Sequence, residues 1–325
     1  MFCFKRTALA AALSLFACGT ALSADTYPNR PLRMVVPFAP GGASDFVGRI
    51  IQPAMAELLK QQVVVDNRPG AAGNIGVEAA ARATADGYTF ILGNVGTMAI
   101  NPVFYTKFPY KSLKDLTPVI QLVDVPGSLV VHPSLPVKSV KELIAHMKAN
   151  PNKLNYGSPA PSSANSLEAK MFLMATGTTA TEIPYKGGAG PATVGLLGNE
   201  VQFMFATFSS TVTFAKQGRL RMLGIIAPER SSSYAEMPTM REQGFDMVVG
   251  SWQGIFVPKG TPANAIQTLF KVGQETMKDA TVIKRLGDSG VAVITSKSPA
   301  DFMNFVKGET ERFGKVIRDA KIQTE

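Results

Sequence analysis

The segment Val35-Val36-Pro37-Phe38-Ala39-Pro40-Gly41-Gly42-Ala43-Ser44-Asp45 carries the clearest chemical pattern in the chain. An apolar strand ends in Pro and Gly and gives way to a helix. Two adjacent glycines admit positive φ, so main-chain N–H groups can gather at a helix N-terminus, where the macrodipole also favours an anion. That combination is a cradle for a carboxylate or phosphate. The segment lacks the Lys-Ser/Thr ending of a nucleotide P-loop and the glycine spacing of the dinucleotide fingerprint, which disfavours both. Ser44 and Asp45 admit two readings, ligand contact or capping of the helix behind a tight turn.

Three more donor-rich loops follow expected strands: Gly93-Asn94-Val95-Gly96-Thr97, Tyr156-Gly157-Ser158-Pro159-Ala160-Pro161-Ser162-Ser163, and Pro184-Tyr185-Lys186-Gly187-Gly188. In open α/β sheets, ligands bind at the carboxyl ends of strands. One such loop alone reads as an ordinary turn, whereas several donor-rich strand ends argue for a shared cleft.

Enzymatic chemistry has little support. His132 precedes Pro133 at a strand end, and His146 lies off the Val140, Leu143, Ile144 and Met147 face of its helix. No paired His/Asp/Glu spacing suggests zinc, and no Gly-x-Ser-x-Gly elbow is present. No catalytic residue, metal or cofactor is therefore expected. Two alternatives stay open: an exported hydrolase acting through Ser158 or Ser163, and a carboxylate sensor subunit for a signalling system.

The elements that position these loops begin after an export leader. Lys5 and Arg6, the apolar run Thr7 to Ala17, and the small residues Ala21, Ser23 and Ala24 read as a signal peptide over residues 1–24, which implies the periplasm. Cys18 behind Leu15, Phe16 and Ala17 loosely imitates a lipoprotein cleavage site, but the bulky Phe16 favours cleavage near Ala24. Both cysteines, Cys3 and Cys18, fall in the leader, leaving no disulfide or thiolate nucleophile. The formal net charge of +9 comes from 33 basic and 24 acidic residues, and loss of Lys5 and Arg6 lowers it by two. The basic residues are scattered, which favours anionic ligands without indicating nucleic acid.

At 46% hydrophobic and 18% charged residues, the chain can bury a large core, which excludes disorder. Beyond the leader, no stretch approaches the ~18 apolar residues of a spanning helix. The 325 residues are about twice a ~150-residue domain. Alternating β-branched runs and helical patterns predict an α/β fold whose sheets are mixed but mainly parallel and flanked by helices. Strands are expected at Leu32–Phe38, Val63–Asp66 and Thr89–Gly93, with a helix presenting Phe46, Ile50, Ile51, Ala54 and Leu58 between the first two. A second series runs from a helix at Val140–Lys148 to a strand at Leu220–Ile226, followed by a strand at Val248–Val257 and three helical stretches.

Two long apolar segments, Val119 to His132 and Met247 to Pro258, are each interrupted near the middle by Gly or small polar residues. Read as crossings between domains, they make residues 25–125 and 251–325 one lobe and 126–250 an inserted second lobe. The alternative is a pair of long core strands. Trp252, the single tryptophan, lies in a crossing, so closure of the lobes is expected to change its fluorescence.

Tyr27-Pro28-Asn29-Arg30-Pro31-Leu32-Arg33, the Val36 to Gly42 loop with Asp45, Asn67-Arg68-Pro69-Gly70-Ala71-Ala72-Gly73-Asn74-Ile75-Gly76, Asp86-Gly87-Tyr88-Thr89, Pro184-Tyr185-Lys186-Gly187, Pro238-Thr239 and Pro258-Lys259-Gly260-Thr261-Pro262 follow in order. This set resembles the Bug-type extracytoplasmic solute receptors of tripartite tricarboxylate transporters. The resemblance implies a two-lobed periplasmic binding protein of type II. Such a protein closes on a small carboxylate and hands it to membrane transporter subunits; a mono- or dicarboxylate ligand and a monomer are expected. It also implies main-chain and hydroxyl donors from Phe38, Ala39, Gly41, Gly42 and Ala43, from Ser158, Ser162 and Ser163, from Tyr185, Lys186 and Gly187, and from Phe205, Ala206 and Thr207. Asp45, Asn94 and Thr97, from the loops above, complete the expected site. Neutral donors hold an anion without a buried countercharge that must be desolvated.

The chain departs from the family pattern in several places. Pro159 and Pro161 stiffen a loop that usually carries glycines, Ser166 and Glu182 stand where histidines are usual, and Gln202 replaces a common aspartate. These changes are expected near the pocket. Phe38, Phe205 and Phe208 either line an apolar wall suited to an aromatic or longer aliphatic acid, or two of them belong to the core.

Overall fold

Apolar runs rich in Val, Ile and Leu form the strands, and helices follow most of them after short turns. The computed structural model describes residues 27–105, 110, 112–227, 229–230, 234–245, 247, 250–319 and 322. The expected leader and Cys18 lie outside these residues.

The strands are β1 (Leu32–Val36), β2 (Val63–Asn67), β3 (Thr89–Asn94), β4 (Leu116–Val125), β5 (Gly127–Val131), β6 (Asn155–Ser158), β7 (Thr181–Pro184), β8 (Phe203–Thr207), β9 (Arg221–Ile226), β10 (Ser251–Pro258) and β11 (Ala292–Val293). The longer helices are α1 (Ala43–Leu59), α2 (Asn74–Ala81), α3 (Val140–Ala149), α4 (Ala164–Thr176), α5 (Ala189–Leu197), α6 (Phe208–Lys216), α7 (Ala263–Thr276), α8 (Ala280–Gly287) and α9 (Pro299–Asp319).

The strands form two sheets, with the order β11-β4-β10-β3-β1-β2 in the first and β7-β6-β8-β5-β9 in the second. In the first lobe, α1, α7 and α8 cover one face through Val47, Ile51, Leu269 and Leu286, and α2 and α9 cover the other through Val77, Phe302 and Phe313. In the second, α3 and α4 bury Leu143 and Phe172 on one face, and α5 and α6 bury Leu196 and Val212 on the other. The α1 face is rotated from the expected one: Leu59 is buried, while Leu58 is 45% exposed.

Both sheets are mixed, as expected, with antiparallel as well as parallel pairings in each. β1 pairs in parallel with β2 and β3, and β6 with β7 and β8, but β10 runs against β3 and β4, β11 against β4, and β5 against β8 and β9. The crossings explain most of this. The parallel strands point their carboxyl ends at the boundary between the lobes, so β5 and β10, which enter from that boundary, must run the other way. β4 and β5 are separated by Pro126 alone, and β10 re-enters the first sheet with Ser251 paired to Val125. Of the strand expected over Val248–Val257, residues 248 and 249 lie outside the described residues and β10 covers the rest from Ser251, while Met247 packs in the core of the second lobe.

Gly254 sits where β10 shifts register against β4. A Cβ there would lie 2.4 Å from the Phe302 ring and 2.5 Å from the Ile120 carbonyl oxygen, a backbone atom that cannot yield. Gly254→Ala should therefore destabilise the protein by about 1–3 kcal/mol through overpacking and lower the melting temperature by several degrees. Thermal unfolding followed by circular dichroism checks this, and a melting temperature equal to the wild type would contradict the packing argument.

Candidate functional site

β1 ends at Val36, and the chain turns into α1, whose N-cap is Gly42. Asn67, at the end of β2, donates Nδ2 to the Phe38 carbonyl (2.9 Å) and to Asp45 Oδ1 (3.0 Å). Asp45 also accepts the Gly41 N–H at 3.1 Å and Arg49 Nε at 2.9 Å. Burial pushes the Asp45 carboxyl up, but the hydrogen bonds from Arg49, Gly41 and Asn67 outweigh it and hold the group below the ordinary carboxylate range. Asp45 thus braces the loop through Gly41 and Asn67, and the Gly42 N-cap has no side-chain cap. The N–H groups of Ala43 and Ser44, in the first helical turn, have no helical acceptor, and both residues line the space between the lobes.

That space is a cavity of about 60 Å³. The first lobe lines it with Phe38, Gly42, Ala43, Ser44, Asn94 and Gln253, and the second with Ala160, Ser162, Ser163, Asn165, Ala189 and Thr207. Among the described residues that line it, none is charged. Four helices begin at its wall: α1 at Gly42 and Ala43, α4 at Ser163 and Ala164, α5 at Ala189, and α6 after Thr207. Each N-terminus carries roughly +0.5 elementary charge from its dipole. The cavity is therefore electropositive without a cation, a setting for a small anion.

Of the expected site residues, Phe38, Gly42, Ala43, Asn94, Ser162, Ser163 and Thr207 line this cavity. The rest stand around it or away from it. Ala39 donates its N–H to the Gly187 carbonyl at 2.9 Å, a direct bond between the lobes, and Gly41 bonds Asp45. Thr97 is fully buried and closes the turn with Asn94, its N–H donating to Asn94 Oδ1 at 3.0 Å. Tyr185 turns outward, donating its hydroxyl to Glu200 at 2.9 Å, and Lys186 is exposed. Burial and the Glu200 carboxylate push the Tyr185 phenol up to about 12. Phe205 and Ala206 pack on opposite faces of β8 inside the second lobe, and Phe208 stacks edge-on against Tyr234 in its core. Phe38 alone of the three phenylalanines faces the cavity. Gly188, at φ +103, allows this, since a Cβ there would sit 2.9 Å from the Phe38 ring.

Ser158 lies behind the lining, where its hydroxyl donates to Glu182 Oε1 at 2.7 Å. Ser166 donates to the same oxygen at 2.6 Å, and Lys170 pairs with Oε2 at 3.1 Å. Two departures from the family pattern, Ser166 and Glu182, are thus partners in one network. Gln202 is not near the pocket: it accepts the Asn155 N–H at 3.0 Å, at the far end of β6.

Sequence reasoning missed Asn165 and Gln253 as lining residues. The only signal for Gln253 was a glutamine within an apolar strand. A further interlobe contact was also missed: Ser162 donates its hydroxyl to Asn101 Oδ1 at 2.7 Å and lies 3.1 Å from the Tyr105 hydroxyl. Ala164 and Leu167 of α4 pack with Trp252 and Phe302 of the first lobe. Behind Asn165, Glu168 is fully buried against the crossing at Gly127. Burial pushes its carboxyl well above the ordinary range, opposed by a hydrogen bond from Asn165 Nδ2.

Residues 47–322 match the family described as Tripartite tricarboxylate transporter family receptor. The chain is 36% identical over 300 residues to Protein BugT of Bordetella pertussis, covering 92% of this chain and 91% of BugT. Its fold is similar to that of the R. palustris protein Rpa4515 with adipate, with a TM-score of 0.87, 32% identity, and 91% and 99% of the two chains covered. It is also similar to MatC (Rpa3494) from Rhodopseudomonas palustris with bound malate, with a TM-score of 0.84, 29% identity, and 90% and 100% covered.

Two expectations follow from the geometry. Folded protein keeps the Glu168 proton while the unfolded chain releases it above its ordinary pKa, so this residue lowers stability as pH rises from that value toward the raised one. The stability of Glu168→Gln relative to wild type, measured by denaturant unfolding, should therefore rise as pH is raised above the ordinary glutamate range, and a pH-independent difference would contradict it. Ser162→Ala removes an interlobe bond of about 1 kcal/mol, a roughly five-fold shift toward the open form. A larger radius of gyration in solution scattering, with altered Trp252 emission, is the expected result; unchanged scattering would show that the bond does not hold the lobes.

Proposed function

Because the chain belongs to the tripartite tricarboxylate transporter receptor family, we propose that it is a periplasmic receptor capturing a small organic carboxylate by closure of its two lobes. The lobes comprise residues 25–125 with 251–325, and 126–250, and they turn about the Pro126 and Ser251 crossings. The bound acid is presented to membrane subunits of a tripartite transporter. The observation that carries this reading is the uncharged interlobe cavity with four helix N-termini at its wall. The adipate-bound and malate-bound relatives support the same ligand class.

First-turn N–H groups of α1 would hold the carboxylate, and Phe38 would cover its apolar part. Micromolar affinity requires only about −8 kcal/mol, within reach of a few charge-assisted hydrogen bonds. The reading is non-enzymatic. Ser158 is hydrogen-bonded to Glu182, and the Ser163 hydroxyl donates to the Ala160 carbonyl at 2.7 Å, so neither is paired with a base suited to serine hydrolysis.

A thermal-shift screen of aliphatic, amino and aromatic carboxylates tests the ligand class. An acid at ~100 times its dissociation constant should add roughly 2.7 kcal/mol, several degrees in melting temperature. A response to sugars or nucleotides, with none to any acid, would overturn the proposal.

A further inference from the structure

Gln253 is 0% exposed and lines the interlobe cavity, yet neither its Nε2 nor its Oε1 meets a hydrogen-bond partner in the protein. The other described buried polar side-chain atoms in that condition are the hydroxyls of Ser209 and Thr276, which do not line the cavity. The amide cannot readily turn away. Gln253 is paired through its backbone with Asn94 on one side and Val123 on the other. Its neighbours Trp252 and Gly254 both face Phe302, so strand alternation directs Gln253 to the opposite side, toward α1.

A carboxamide presents one acceptor and two donor hydrogens. A ligand carboxylate only accepts, so it would satisfy Nε2 and leave Oε1 facing an anion. An ammonium group only donates and would leave Nε2 unpaired. A hydroxyl does both, accepting from Nε2 while donating to Oε1. A methylene in the same place leaves both amide atoms buried and unpaired, and buried polar groups of that kind are what reject an analogue lacking the matching group.

We propose that Gln253 is a specificity-determining residue that selects hydroxy acids over the corresponding plain acids. The inference rests on the carboxylate reading of the cavity and adds the chemistry of the second group on the ligand. Titration calorimetry on the mature chain should compare malate with succinate and lactate with propionate, pairs that differ by a single hydroxyl. In each pair that binds, the hydroxy acid should be tighter by about 10- to 100-fold. In Gln253→Leu, shown to be folded by its melting curve, that ratio should collapse toward one.

Equal affinities within the pairs in wild-type protein would overturn the inference, and this comparison needs no variant. A ratio that survives Gln253→Leu would also overturn it, because the hydroxyl would then be read elsewhere. Binding of plain acids alone would overturn the inference and leave the carboxylate reading standing. Failure of every acid to bind, in calorimetry and in the thermal screen, would overturn the carboxylate reading and this inference with it.

Discussion

An anion taken out of water needs compensation, and this cleft supplies it without a cation. A buried lysine or arginine would itself have to be desolvated, at a cost that can exceed the attraction gained. Helix N-termini avoid that cost, because their N–H groups are fixed in the fold and the first-turn ones have no acceptor within the helix; only some find one elsewhere, as Ser166 does in Ser163 and Phe208 in the Pro126 carbonyl. Both lobes contribute them: α1 from the first, and α4, α5 and α6 from the second. The favourable potential is greatest when the lobes meet, so electrostatics and closure are coupled.

The topology follows from the same constraint. In a βα unit, the helix that follows a strand begins at the strand's carboxyl end, so parallel strands aimed at the interlobe boundary aim helix N-termini there as well. β1, β6 and β8 each do this through the loops at Phe38, Ser162 and Thr207. The two crossings must then run against their neighbours. They also bring Gln253 to the cavity, because the first residues of β10 lie where the chain passes between lobes.

Much of this was legible in the sequence, and the residues that were not share a physical reason. Glycine- and hydroxyl-rich strand ends marked the loops at Phe38, Asn94 and Ser162, and the breaks in the two long apolar segments marked the crossings. Periodicity says which residues share a face but not which face meets the cavity. Phe205 and Ala206 were carried over from the resemblance; alternation along β8 commits one side chain to each core cluster and leaves only the terminal Thr207 at the cleft. Tyr185 and Lys186 lie in a turn whose course depends on the φ values of Gly187 and Gly188, +100 and +103, and that turn sends both side chains outward. Gln253 stood out only as a glutamine within an apolar strand. Its role depends on neighbours distant in sequence, which no local pattern contains.

An electropositive cleft would lose its advantage if nearby acids kept their charge, and each of three is answered differently. Asp45, in the first turn of α1, stays ionised but is paired with Arg49, so it stiffens the loop with little net repulsion. Glu182 is neutralised by Lys170 and accepts hydrogen bonds from Ser158 and Ser166, which keep it behind the Ser162 loop. Glu168 has no cation among its described contacts, and burial favours its uncharged form instead. These arrangements are not interchangeable. The exposed Arg49 holds its charge in water, whereas a cation placed beside Glu168 would have to be desolvated against the crossing at Gly127. Protonation removes the charge there without adding a group, and it leaves the hinge free of an ion pair that lobe movement would have to break.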